Sequence, residues 1–111
     1  MSTVFSKIIK GELPADIVYE SQNILAFKDI HPKAPIHLLI IPKKEIKNLQ
    51  SVTKEDLPLV QEMIVAAQEL AERFGIGDGY RLLTNNGPLA GQEVFHLHFH
   101  LLGGEQLGSI A

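Results

Sequence analysis

The chain has 111 residues, 45% of them hydrophobic, which suits one domain over residues 1–111 and is too short for two ordinary ones. Ten basic against 13 acidic residues leave a net charge of −3, the wrong sign for a protein that grips a nucleic-acid backbone. With no cysteine there is no disulfide framework, thiolate zinc site or cysteine nucleophile, and no apolar run matches a bilayer span or a signal peptide, so the expectation is a cytoplasmic protein without a membrane partner.

In chain order, Phe5-Ser6-Lys7-Ile8-Ile9 has apolar residues three and four apart and predicts a short helix ended by Gly11 and Pro14. Residues 16–20 and 24–28 are short apolar runs separated by Ser21-Gln22-Asn23, the pattern of a hairpin. His31-Pro32-Lys33-Ala34-Pro35 reads as a rigid connection, because each proline restricts its own φ and its predecessor's backbone. A central strand over 36–41 follows, closed by Pro42. Between residues 53 and 74, Leu57, Val60, Met63, Ile64, Ala67, Leu70, Ala71 and Phe74 recur at helical spacing. Thr53 is the candidate N-cap and Gly75 the stop, while Pro58 argues for a later start. A strand over 80–84, a glycine-rich turn over 85–92 and a last strand over 94–102 complete the chain. Five strands joined mostly by short turns, with one long and one short helix, predict an α+β fold on an antiparallel sheet.

The last strand carries the chemistry. In Val94-Phe95-His96-Leu97-His98-Phe99-His100-Leu101-Leu102 the side chains alternate with period two. Val94, His96, His98, His100 and Leu102 would face one way, with neighbouring imidazoles roughly 7 Å apart. A neutral imidazole attacks phosphorus well and leaves again, so it can split a hydrolysis into formation and breakdown of a phosphohistidine. Its second ring nitrogen must be held by an acceptor, and the phosphate needs donors, which Asn85-Asn86-Gly87 and Gly91-Gln92 are placed to supply. A metal site built on two of these histidines and His37 stands beside the nucleophile reading on the motif alone. Core histidines that merely satisfy backbone groups are a third account, poorly suited to three in strict register. His37 and Asp29 by themselves read as a packed histidine and a turn residue.

The pattern His96-Leu97-His98-Phe99-His100-Leu101-Leu102 resembles the histidine triad (HIT) family, in its Hint branch. Segments from Val4-Phe5-Ser6-Lys7-Ile8-Ile9 through Ala26-Phe27-Lys28-Asp29-Ile30, Ala34-Pro35-Ile36-His37 and Tyr80-Arg81 to Gly91-Gln92-Glu93-Val94-Phe95 extend the likeness nearly end to end. The resemblance implies a homodimer whose two five-stranded sheets join into one of ten strands. It implies hydrolysis of purine nucleoside phosphoramidates, with AMP or GMP as the nucleotide part and no cofactor or required metal. A diadenosine polyphosphate hydrolase of the same family, and a non-catalytic nucleotide- or metal-binding module, are the alternatives.

By the same resemblance His98 would be the nucleophile, His96 its orienting neighbour, His100 the contact to phosphate and leaving group, and His37 a fourth site histidine. Asn85, Gly91, Gln92, Glu93 and Val94 match the phosphate side. Asp29 matches the ribose-binding acid, and Val4, Phe5, Ile8, Phe27, Ile30 and Leu39 match the walls of the base pocket. Glu93 stands where animal members have serine and resembles bacterial relatives. Thr3, Ser6 and Glu45 stand where some members carry zinc ligands, so three of those ligands are missing. The tail 107–111 is short and lacks the tryptophan of animal members.

Overall fold

The computed structural model of the protein describes residues 2–110; Met1 and Ala111 lie outside the described residues. In chain order the elements are α1 (Val4–Ile9), β1 (Ile17–Glu20), β2 (Ile24–Lys28), β3 (Ile36–Pro42), α2 (Leu57–Arg73), β4 (Tyr80–Leu83) and β5 (Phe99–Gly103). The strands form one antiparallel sheet in the order β1-β2-β3-β5-β4, an α+β fold as predicted. No helix among the described residues is long and apolar enough to cross a membrane.

Helix α1 is short, and its start is fixed by a capping box. The Ser6 amide donates to Thr3 Oγ1 at 3.1 Å while the Thr3 amide donates to Ser6 Oγ at 2.7 Å. Gly11, at φ +77°, turns the chain out of it. Helix α2 starts at Leu57, later than the Thr53 N-cap predicts, with one 3-10 turn over Lys54–Asp56 filling the gap. Pro58 is accommodated because it falls in the first turn, where its missing N–H would have no helical partner anyway. Gly75 at φ +73° ends the helix as predicted.

Alternation along the strands separates two layers. Leu38 and Ile40 of β3, Ile24 and Ala26 of β2, and Phe99 and Leu101 of β5 pack against Met63, Ala66, Ala67, Leu70 and Ala71 of α2. On the opposite face Leu25, Phe27, Leu39 and Ile41 are covered by Phe5, Ile8 and Ile9 of α1. Helix α1 is too short to cover that face, and what it leaves open is where the histidines lie.

The last strand is the main departure from the sequence reading. It begins at Phe99, not Val94, and residues 94–98 approach the sheet outside its ladder. Their amides bond elsewhere: Leu97 N–H donates to the Ile46 carbonyl. Leu97, Phe99 and Leu101 face α2 as the alternation predicts, but Phe95 is 41% exposed. The pattern of burial continues for a few residues beyond the hydrogen-bonded strand because the 43–48 segment, not a neighbouring strand, buries Leu97.

Candidate active site

Registry brings the site together. In the β3–β5 pair Leu39 stands opposite His100 and His37 opposite Leu102, so His37 and His100 are diagonal neighbours on the open face. Their rings lie 5.2 Å apart between centroids, and the His98 ring lies 5.0 Å from that of His100. Phe5 of α1 meets the His98 ring edge-on at 5.0 Å and Phe27 at 5.5 Å. Between these groups opens a cavity of about 770 Å³.

Of the residues singled out from the sequence, Val4, Phe5, Ile8, Phe27, Ile30 and Leu39 form its apolar wall. Asp29, His37, Asn85, Gly91, Glu93, Val94, His98 and His100 line the rest. Two do not. His96 is fully buried behind the site, its Nε2–H donating to the Pro42 carbonyl at 2.8 Å and its Nδ1 left without a partner. Gln92 is only 4% exposed and turns inward. Its carboxamide N–H groups donate to the carbonyls of Lys47 (2.9 Å) and Val94 (3.1 Å), and its oxygen accepts from the Gly87 amide at 2.8 Å. Gln92 therefore pins the loop that carries Asn85, Gly91, Glu93 and Val94 rather than lining the cavity. Gly87 and Gly91, at φ +90° and +94°, supply the positive-φ backbone that loop requires.

His98 is held in one protonation form. Its Nδ1 lies 2.7 Å from the His96 carbonyl, which can only accept, so the ring proton sits on Nδ1 and Nε2 carries a lone pair. The Thr84 hydroxyl donates to the His98 carbonyl at 2.7 Å and fixes the backbone beneath the ring. His96 thus acts on its neighbour through its backbone.

His37 receives the Lys33 amide on Nδ1 at 3.0 Å and faces His100 Nδ1 with its Nε2 at 2.9 Å. Asp29 Oδ2 lies 3.4 Å from the same His37 Nε2, while Asp29 Oδ1 accepts the His31 amide at 2.8 Å. The Lys33 amide was missed in the sequence because a backbone donor leaves no side-chain signature. Leu83 and Leu102, which also line the cavity, follow from their registry with the histidines on the same face.

Burial weakens proton binding at all four site histidines. It pushes His98 below its ordinary range, with His96 adding to the effect and the bond to the His96 carbonyl and the Asp29 charge opposing it. His100 is pushed down to about 4, by burial first and then by His98 and His37. His37 falls through burial and the Lys33 charge against the pull of Asp29, and His96 through burial against Pro42 and Glu45. At neutral pH the row is uncharged, as a histidine nucleophile requires.

Asp29, His37 and His100 place one ligand-type atom each within 4.8 Å of one another. The two nitrogens stand 2.9 Å apart, a hydrogen-bond distance; two imidazoles on one tetrahedral zinc-type ion stand roughly 3.3 Å apart. Thr3 and Ser6, at the positions compared with zinc cysteines, are occupied in capping α1.

The HIT domain profile matches residues 10–107. The chain belongs to the HIT family. It is 50% identical over 107 residues to the purine nucleoside phosphoramidase of Escherichia coli K12, covering 96% of this chain and 90% of that protein. An uncharacterised HIT-like protein of Synechocystis is 54% identical over 102 residues, covering 92% and 90%. Among solved structures, the HIT family hydrolase of Legionella pneumophila superposes with a TM-score of 0.94 at 48% identity, over 96% of both chains. That of Clostridium thermocellum gives 0.94 at 50% identity, over 97% of this chain and 95% of that one. The HIT fold and a hydrolase of that family are thereby established for this chain.

Proposed function

We propose that this HIT hydrolase cleaves the P–N bond of purine nucleoside 5′-phosphoramidates through a covalent nucleotidyl-His98. The observation that carries the reading is the His98 ring itself: Nδ1–H tied to the His96 carbonyl, Nε2 unprotonated, beside an apolar pocket sized for a nucleoside. The base lies against Phe5, Ile8, Phe27 and Leu39, and the free valences of Asp29 take ribose hydroxyls. His98 Nε2 forms a bond to phosphorus as the bond to the amine nitrogen breaks, and the departing amine takes a proton from solvent, which the attacking water of the second step returns. Water then attacks the same phosphorus, releasing the nucleoside monophosphate and returning His98 to its neutral form. His100 and the Asn85–Val94 loop hold the phosphate oxygens. The E. coli relative named for purine nucleoside phosphoramidase supports this substrate class.

The working unit proposed is a homodimer with a continuous ten-stranded sheet. Strand β4 is at the sheet edge, Tyr80 is partly exposed on it, and α2 shows Leu57, Ile64 and Val65 to solvent. Light scattering on the purified protein tests this, with about twice the chain mass expected.

The deciding experiment is hydrolysis of an AMP-linked amine by wild type and His98→Ala with a chelator present. Turnover that survives the chelator, falls by roughly 10⁴-fold or more in the variant, and passes through an AMP adduct on His98 in quenched samples is the expected result. Turnover abolished by the chelator, or retained in the variant, refutes the proposed mechanism. A panel including diadenosine polyphosphates fixes the substrate class.

A further inference from the structure

His100 poses a problem for any reaction in this cavity. A phosphate needs hydrogen-bond donors, yet a neutral imidazole has only one N–H, and nothing in the sequence says which nitrogen carries it. We propose that His37 is a positioning residue which, locked by the Lys33 backbone amide, keeps the His100 proton on Nε2 and so makes neutral His100 a donor toward the bound phosphate. The phosphate part of this statement rests on the function proposed above; the proton assignment does not.

The assignment follows by elimination. The Lys33 amide is a permanent donor, so His37 Nδ1, 3.0 Å away, must be the acceptor. Neutral His37 then carries its proton on Nε2. That proton lies between His37 Nε2 and His100 Nδ1, 2.9 Å apart, where two lone pairs would repel. His100 Nδ1 accepts it, and the only place left for the His100 proton is Nε2. The reverse arrangement would set the His37 Nδ1–H against the Lys33 N–H. Asp29 Oδ2, 3.4 Å from His37 Nε2, favours a proton there as well.

Neighbouring imidazoles 5.0 Å apart are therefore set in opposite forms by two backbone groups. The His96 carbonyl bares Nε2 of His98 for attack. The Lys33 amide, acting through His37, arms Nε2 of His100 for donation. The same elimination bears on metal capture: ligation through His37 Nε2 would require removing the proton that the Lys33 contact puts there.

Two-bond ¹H–¹⁵N correlation spectra of uniformly labelled wild-type protein near pH 7 read each ring directly. The expected result is a proton on Nδ1 of His98 and on Nε2 of both His37 and His100, with the His37 ring proton exchanging slowly. A proton on Nδ1 of His37 or of His100 overturns the proposal, whatever the protein hydrolyses.

Two variants then separate positioning from mere packing. His37→Gln keeps an N–H that can face His100 Nδ1, and His37→Leu does not. On an AMP-linked amine His37→Leu is expected to lower kcat about 10- to 100-fold with KM within a few-fold, and His37→Gln to recover most of it. The His100 titration should rise from about 4 in His37→Leu and stay nearer that value in His37→Gln. Equal losses in both variants with the His100 titration unmoved would overturn the positioning role.

Discussion

On the side of α2, β3 presents Leu38 and Ile40, and every neighbour they meet in that buried cluster is apolar. On the other side the same strand presents His37, Leu39 and Ile41, and the six-residue α1 covers only part of what lies there. One face is sealed by a seventeen-residue helix; the other is left with a cavity lined by the neutral imidazoles of His37, His98 and His100. The difference teaches that this fold divides its labour by sheet face. Stability comes mainly from the sealed side, which frees the open side to hold groups that a closed core would have to satisfy or exclude.

Breaking either face should leave the other recognisable. His98→Ala is expected to remove turnover while changing stability far less than a core truncation, as read by denaturant melts beside the activity assay. Leu70→Ala, under α2, should cost about 2–5 kcal/mol of stability, with kcat of the remaining folded fraction little changed. Gln92→Ala sits between the two. It removes three part-buried hydrogen bonds to backbone groups, so about 1–3 kcal/mol of stability should go, and loosening of the loop from Asn85 to Val94 should raise KM more than it lowers kcat.

Acid should strike only the open face. His37, His96, His98 and His100 bind protons more weakly in the folded protein than in the unfolded chain, whose histidines titrate near 6.5. Below 6.5 the unfolded chain holds more protons, so stability falls as pH falls and goes on falling until His100 protonates at about 4. Melting temperatures across that range check the sign, and His100→Asn should flatten the slope whereas Leu70→Ala should only displace it. The smallest effect is expected at Glu93, which lines the cavity from an exposed position. Glu93→Gln removes a negative charge near the phosphate and should tighten AMP binding by no more than about fivefold by calorimetry.

The sequence made the two faces legible because hydrophobic alternation reports which side of a sheet a residue faces. Leu97, Phe99 and Leu101 against His98 and His100 come out as read, and so does α2 with its glycine stop, whereas Phe5 and Phe27 were singled out by the family resemblance alone and line the cavity. Alternation does not report hydrogen-bond partners. It therefore carried the last strand back to Val94, although residues 94–98 stand outside the ladder and Leu97 bonds to a loop carbonyl rather than to a strand. It set His96 beside His98 as an equal, whereas His96 is sunk behind the site. It gave no sign that Gln92 turns inward or that the Lys33 amide fixes His37, since both depend on contacts between segments distant in sequence or on backbone atoms common to every residue.

The pairing of β3 with β5 sets Leu39 opposite His100 and His37 opposite Leu102. A slip of one residue in either strand would exchange its two faces, driving a histidine into the oil under α2 and pushing a leucine into the cavity. Such an error is penalised by the same burial that drives folding, so misassembled yet compact molecules are selected against before chemistry is attempted. Refolded preparations should then contain unfolded chains and competent ones with little in between, and the fraction recovered in structure should equal the fraction recovered in activity.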